Sequence, residues 1–256
     1  MTANSILLSF VISLCLALST AAEAGPCRSE SFNGASYIVC SFDPSKDDLR
    51  IVWRGADGEP YRTFDSLAAA LEANNGRSLR FAMNGGMYEE DLRPVGLHVE
   101  NGKELAKANT ATVKGPPGQI PNFYKKPNGV FYLGGGRAGV LTTERFLARK
   151  PKAAYATQSG PMLVIDGDIH PSFIVNSKDL KPRNGVGVSG PNQVHFVITR
   201  GSVSFYEFAR FFRDGLGVKN ALFLDGGTAP GLYAPELGRN DPPSHGGYGP
   251  IIAVVE

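Results

Sequence analysis

Apolar positions along this chain fall into two regimes. Ile6 to Ala17 is an almost unbroken apolar run, followed by small residues that end in Ala22-Glu23-Ala24. Beyond that point the apolar stretches are short and separated by glycine, proline and asparagine. The first run falls short of the roughly 20 apolar residues a membrane span requires. Its ending fits the small-x-small site of a signal peptidase. Residues 1–24 therefore read as a cleavable signal peptide and residues 25–256 as one domain, although the segment's only positive charge is its terminal amine.

The second regime predicts mainly strands. Ser36 to Phe42 and Leu49 to Trp53 alternate as strands, and Leu79 to Met83 runs straight into Asn84-Gly85-Gly86. Further strands are expected at 129–133, 161–165, 194–199, 221–224 and 251–255. Asn101-Gly102 and Asp166-Gly167 predict hairpin turns. Two helices stand out. One runs from Thr63 to Asn75, capped by Asp65 or Ser66 and ended by Gly76. The other opens on the capping box Ser204-Phe205-Tyr206-Glu207, carries the stripe Phe205, Phe208, Ala209 and Phe212, and closes at Gly215 or Gly217. The expected fold class is α+β: mixed, largely antiparallel sheets with a few flanking helices in a single domain. The 31 glycines and 18 prolines point to many turns and a loop-built site, because an apolar fraction of 42% is too high for disorder.

Charge and cysteine content narrow the class. A net charge of +2 with interspersed signs gives no nucleic-acid or membrane-surface footprint. Removal of the signal would take Cys15 with it and leave Cys27 and Cys40, which in an oxidising compartment pair most simply as one disulfide. The expected location is periplasmic or secreted, with no stable membrane insertion after cleavage. The four histidines show no metal spacing, and no zinc motif is present. Gly134-Gly135-Gly136-Arg137 lacks the ending of a P-loop and reads as a turn. Ser159 lies in Gln-Ser-Gly-Pro, which is not a nucleophile elbow.

Three segments share one design, an apolar strand that ends on a polar residue beside glycine. They are Phe81 to Gly86, Ala156 to Pro161 and Leu222 to Thr228. Strand ends hold side chains firmly, and glycines let backbone N–H groups approach a ligand closely. A fourth segment, Lys181 to Gly185, places Arg183 and Asn184 just before an expected strand. Candidate binding positions are Asn84, Gly85, Gly86, Ser159, Gly160, Asn184, Gly226, Gly227 and Thr228. Singly, each of these pairs is also an ordinary turn.

Six ordered blocks carry a more specific pattern: Met83 to Tyr88, Pro94 to Leu97, Asn122 to Phe131 with its Pro127-Asn128-Gly129 centre, Gln158 to Pro161, Arg183 to Gly187, and Asn220 to Gly227. In this order the chain resembles the phosphodiester glycosidase family, relatives of the mannose 6-phosphate uncovering enzyme, and within it the short exported bacterial branch. The resemblance implies hydrolysis of a sugar-1-phosphodiester at the anomeric C–O bond, with a glycan or sugar-1-phosphate diester as the partner. Asp225 is then the expected nucleophile, general base or electrostatic partner of an oxocarbenium-like transition state. Arg183 would hold the phosphate, and glycine-flanked N–H groups at Gly85, Gly86, Gly226 and Gly227 would add anion donors. Glu89 is favoured as a second carboxylate, with Glu90, Asp91, Asp166 and Asp168 as alternatives. No cofactor is expected, though a divalent cation at Asp225 stays open. Two other readings remain: a non-catalytic glycan- or phosphosugar-binding module on the same fold, and a metal-assisted phosphodiesterase.

Overall fold

The computed structural model describes residues 25–190 and 192–256, so the expected signal segment 1–24 lies outside the described residues. Three sheets share one core. The largest has seven strands, in spatial order Cys27–Phe32, Ala35–Phe42, Gln193–Thr199, Arg183–Ser189, Asn220–Gly226, Met162–Ile165 and Asp168–Ile169. A five-stranded sheet follows the order Arg239–Asn240, Leu232–Ala234, Leu79–Asn84, Ile251–Val255, Asp48–Val52. The other five-stranded sheet follows Lys103–Ala106, His98–Glu100, Tyr155–Ser159, Gly129–Gly134, Arg137–Thr142. Among the described residues every pairing between these strands is antiparallel. The expected α+β class holds.

Period-two alternation explains how three sheets and three helices fit together. Ile38, Phe81, Phe131, Phe196, Leu222 and Ile252 point inward from the three sheets into one central cluster. The alternate residues face outward, and a helix covers each outer face. Phe64 and Leu67 of the helix Phe64–Asn75 pack on Ala82, Ile251 and Ala253. Phe146 of the helix Thr143–Arg149 packs with Val130 and Ala156. Phe205, Phe208 and Ala209 of the helix Phe205–Arg210 cover Val39, Val197 and Phe223.

Local chemistry sets the ends of these elements. Thr63, rather than Asp65 or Ser66, caps the first helix, because its extended backbone lets Oγ1 accept from Ser66 N at 3.0 Å. Gly76 ends that helix in the left-handed conformation, as its sequence predicts. Ser204 Oγ accepts from Glu207 N at 3.1 Å, whereas the Glu207 carboxylate turns to Arg210 at 3.4 Å instead of closing the capping box. Past Arg210 the helix widens into the π turn Phe211–Gly215, which directs both Phe211 and Phe212 into the core. The expected hairpin turns form at Asn101-Gly102 and Asp166-Gly167, all four residues having positive φ. Cys27 and Cys40 are direct register partners and form the expected disulfide.

Candidate active site at the junction of three sheets

The segments singled out in the sequence meet where the three sheets converge. Asn84 ends a strand of one sheet, Ser159 ends a strand of another, and Asn184 and Asp225 face each other across two strands of the largest. Hydrogen bonds sew the sheets together there. Asn184 Nδ2 donates to Asn84 Oδ1 at 2.6 Å, and Ser159 Oγ donates to Leu224 O at 2.7 Å. Gly86 closes the third side: its φ of 144° is unavailable to most residues, and a Cβ there would meet Thr157 Oγ1 at 2.9 Å.

A short amide relay anchors the backbone of Asp225. Asp225 N donates to Asn184 Oδ1 at 2.8 Å, and Gly231 N donates to Asn84 Oδ1 at 3.0 Å. Backbone N–H groups can only donate, so these two bonds fix which way both side-chain amides point. The consequence is that Asn84 Nδ2 is buried and has no partner among the described residues. A buried donor left without a partner costs about 1–3 kcal/mol.

Asp225 itself is half-buried at the mouth of this junction. Its Oδ1 accepts from Gly226 N at 2.8 Å, which favours the charged form, but burial outweighs that bond and pushes the carboxyl up to about 7. Close to neutral pH the group is therefore divided between acid and carboxylate. Tyr88 lies within the reach of its charge, and burial together with that charge raises the phenol to about 12, so it stays protonated. Tyr88 belongs to the Met83–Tyr88 motif, where the sequence alone assigns it no role. Its place at the end of the block that begins at Met83, four residues after Asn84, is the available signal.

The remaining candidates divide. Gly226 N bonds Asp225, Gly227 N donates to Pro182 O at 3.0 Å and Gly85 N donates to Pro250 O at 2.6 Å. Three of the four N–H groups expected to bind an anion are thus engaged within the protein. Gly160 packs against Asn128, and Thr228 Oγ1 bonds His245 Nε2 at 2.7 Å, folding the glycine-rich tail onto the site. Arg183 is buried on the opposite, helix-covered face of its strand. Its Nε donates to Val203 O at 2.9 Å, an Nη donates to Asp179 O at 3.2 Å, and the guanidinium stacks 3.6 Å over Phe205. Burial lowers its pKa to about 10, which leaves it cationic at neutral pH. Glu89 is exposed in a turn, its N–H donating to Arg93 O, and its carboxylate makes no hydrogen bond or ion pair among the described residues. Among the described residues no group of three or more His, Cys, Asp or Glu is placed to hold a metal ion.

Other motif residues build the scaffold around the site. Gln158 Oε1 accepts from Leu97 N at 3.0 Å and Asn109 N at 2.9 Å, while Nε2 donates to Asn109 O and Thr143 Oγ1. Asn128 ties Phe123 O to Thr143 Oγ1. Both side chains are buried and fully committed.

Comparison with known proteins agrees with this architecture. A sequence model of the phosphodiester glycosidase family matches residues 77–255. The uncharacterized protein YigE of Escherichia coli (strain K12) is 35% identical over 184 residues, covering 72% of this chain and 69% of that protein. The catalytic domain of zebrafish N-acetylglucosamine-1-phosphodiester alpha-N-acetylglucosaminidase, auto-inhibited by its pro-peptide, superposes with a TM-score of 0.57 at 15% identity. That match covers 89% of this chain and 81% of the zebrafish one. A hypothetical protein from Synechocystis gives 0.53 at 15% identity, covering 90% of this chain and 61% of the other. On the extent of the family match, the chain belongs to the phosphodiester glycosidase family.

Proposed function

We propose that the protein hydrolyses a sugar-1-phosphodiester: water adds at the anomeric carbon, the anomeric C–O bond breaks, and a free sugar and a phosphomonoester leave. The observation that carries this reading is Asp225, whose backbone is anchored by an amide relay at a three-sheet junction and whose carboxyl is raised to about 7. In its ionised form it acts as base toward water or as nucleophile at the anomeric carbon. The zebrafish protein with the same fold is named for action on an N-acetylglucosamine-1-phosphodiester, which supports the same class of bond here.

A phosphomonoester leaves as a weak base, so the reaction needs charge stabilisation more than a strong general acid. That suits a site in which, among the described residues, no second carboxylate bonds Asp225. In this proposal Asn84 Nδ2 takes a sugar hydroxyl and Tyr88 donates to an oxygen of the substrate. Arg183, whose register partner is Gly226, biases the site toward a phosphate through its charge. Glu89 is a rim residue that a bound substrate would recruit. With residues 1–24 as a signal, the enzyme would work in the periplasm or outside the cell.

The test is turnover of an N-acetylglucosamine-1-phosphodiester in heavy-oxygen water, with and without chelator, beside Asp225→Asn. The expected result is label in the sugar, no effect of chelator, and a rate lower by about 10²–10⁴-fold in the variant. Label in the phosphate would reassign the reaction to a phosphodiesterase. Intact binding without turnover, across a panel of sugar-1-phosphodiesters, would reassign the protein to a binding module.

A further inference from the structure

The segment between His170 and Pro182 is fixed at its base and apolar at its tip. His170 is buried, its Nε2 donating to Lys126 O at 3.0 Å while Nδ1 accepts from Ser172 N at 3.2 Å. Phe173 stacks between the His170 ring, 4.8 Å away, and Phe205, 4.9 Å away. At the other end Lys181 bridges to Val203, and Pro182 O receives Gly227 N. Between these anchors the chain bends back at Asn176, whose φ is 59°.

What projects from this braced loop is apolar. Ile174 is 71% exposed, Val175 56% and Leu180 52%, the highest values among the large hydrophobic side chains described. Holding three such residues in water is unfavourable, because exposed apolar surface is disfavoured in proportion to its area. Three lysines lie on or beside the loop: Lys178 and Lys181 are exposed on it, and the half-buried Lys125, whose Nζ donates to Asn122 Oδ1 at 2.8 Å, lies within the reach of the charges of Asp179, Arg183 and Lys181. Asp179, paired with Lys181 at 3.3 Å, is the loop's one acid.

We propose that the 171–182 loop docks the protein on a bilayer surface containing anionic phospholipid. Ile174, Val175 and Leu180 would enter the headgroup boundary, and Lys125, Lys178 and Lys181 would pair with lipid phosphates. A folded protein partner fits less well, since a stable interface buries about 800 Å² per side and three convex tips offer far less. A bilayer needs no matching shape, and its interface takes apolar side chains beneath a ring of lysines. Such attachment is peripheral and reversible, which agrees with the absence among the described residues of any helix long and apolar enough to cross a membrane. The inference rests on the loop alone and is independent of the reaction proposed for Asp225.

Co-sedimentation with phosphatidylethanolamine–phosphatidylglycerol vesicles tests it without any activity assay. The protein is expected to partition onto these vesicles and to release at high salt. Phosphatidylcholine vesicles are expected to hold it about tenfold or more less tightly. Replacing Ile174, Val175 and Leu180 by Ser should lower partitioning at least tenfold with unchanged circular dichroism, and Lys178→Gln should lower it about fivefold on the anionic vesicles. No partitioning by the wild type, or equal partitioning by the folded triple variant, overturns the proposal. Lipid-free dimerisation that the triple variant abolishes, seen by analytical ultracentrifugation, would assign the patch to a second copy and overturn it equally.

Discussion

Two titratable groups flank the strand Arg183–Ser189 from its neighbouring strands, the half-buried Asp225 near one end and the buried His195 near the other, and burial has driven the two in opposite directions. At one end Asn184 holds Asp225, whose carboxyl is raised to about 7. At the other end Ser189 Oγ lies 2.8 Å from His195 Nε2, and Ser41 Oγ lies 2.9 Å from Nδ1. Burial, helped by the charge of Arg28, takes that imidazole down to about 4. Both shifts have the same cause, which is that low-dielectric surroundings disfavour charge. The hydrogen bonding differs. His195 has one hydroxyl for each ring nitrogen, so its neutral form is fully satisfied and has no capacity left over. Asp225 has one bond to its Oδ1 and an orphan amide nearby on Asn84. The satisfied group is structural; the frustrated one is where chemistry is expected.

The strongest way to sharpen this contrast is the pH dependence of stability. Asp225 binds a proton more tightly when folded, so its contribution is complete below pH 4 and is lost as pH rises through about 7. His195 binds one more tightly when unfolded. Its contribution is present above about pH 6.5 and is lost as pH falls through about 4. Across the same window the two slopes oppose each other, which flattens the wild-type profile. Asp225→Asn is expected to stabilise the protein at pH 8 by about 2–4 kcal/mol, while making little difference at pH 4. His195→Gln should leave a profile that only declines as pH rises from 4 to 7. Urea denaturation at intervals across that range reads both. A flat profile in both variants would mean that burial shifts neither group.

Breaking the relay without touching the carboxyl is expected to have the next largest effect. Asn184→Ala removes the acceptor for Asp225 N and the donor for Asn84 Oδ1. It should lower kcat about a hundredfold and cost about 1–3 kcal/mol of stability. The corresponding change at the other end of the strand, Ser189→Ala, removes one His195 partner and should cost stability alone, with kcat unmoved. A parallel fall in kcat for Ser189→Ala would make the loss at Asn184 a matter of folding rather than of site geometry.

Why one end of this strand is legible in the sequence and the other only in part follows from what each requires. Asp225, Asn84 and Asn184 announce themselves because polar residues flanked by glycine interrupt apolar strands. The sheet content follows from alternation, and the Asn-Gly and Asp-Gly turns from their need for positive φ. Direction across a sheet is harder to read. Arg183 and Asn184 are neighbours in sequence, yet they project to opposite faces, one onto Phe205 and the other toward Asn84. A bulge at Asn184/Gly185 then decides which face Asp225 joins. The helix Thr143–Arg149 and the strand Cys27–Phe32 escape notice because neither has a strong period of its own; tertiary contact completes them. Net charge hid the lysines around Ile174 for a related reason, since it averages over the chain what folding gathers at one loop.

The gentlest break concerns two of the histidines that meet hydroxyls. His195 is enclosed between two of them, whereas His245, in an exposed turn with φ of 59°, reaches Thr228 Oγ1 at 2.7 Å, and Ser244 Oγ donates to Thr228 O at 2.6 Å. These contacts rest the glycine-rich tail against the loop that follows Asp225. Thr228→Val keeps the shape of the side chain and deletes the hydroxyl. One hydrogen bond of about 1 kcal/mol is lost, so the tail should open more often and KM should rise about fivefold. Because the relay through Asn184 is untouched, kcat and its pH profile should stay where they are. A fall in kcat with unchanged KM would instead place Thr228 in contact with the reacting bond, and would widen the frustrated end of the strand from one carboxyl to the loop behind it.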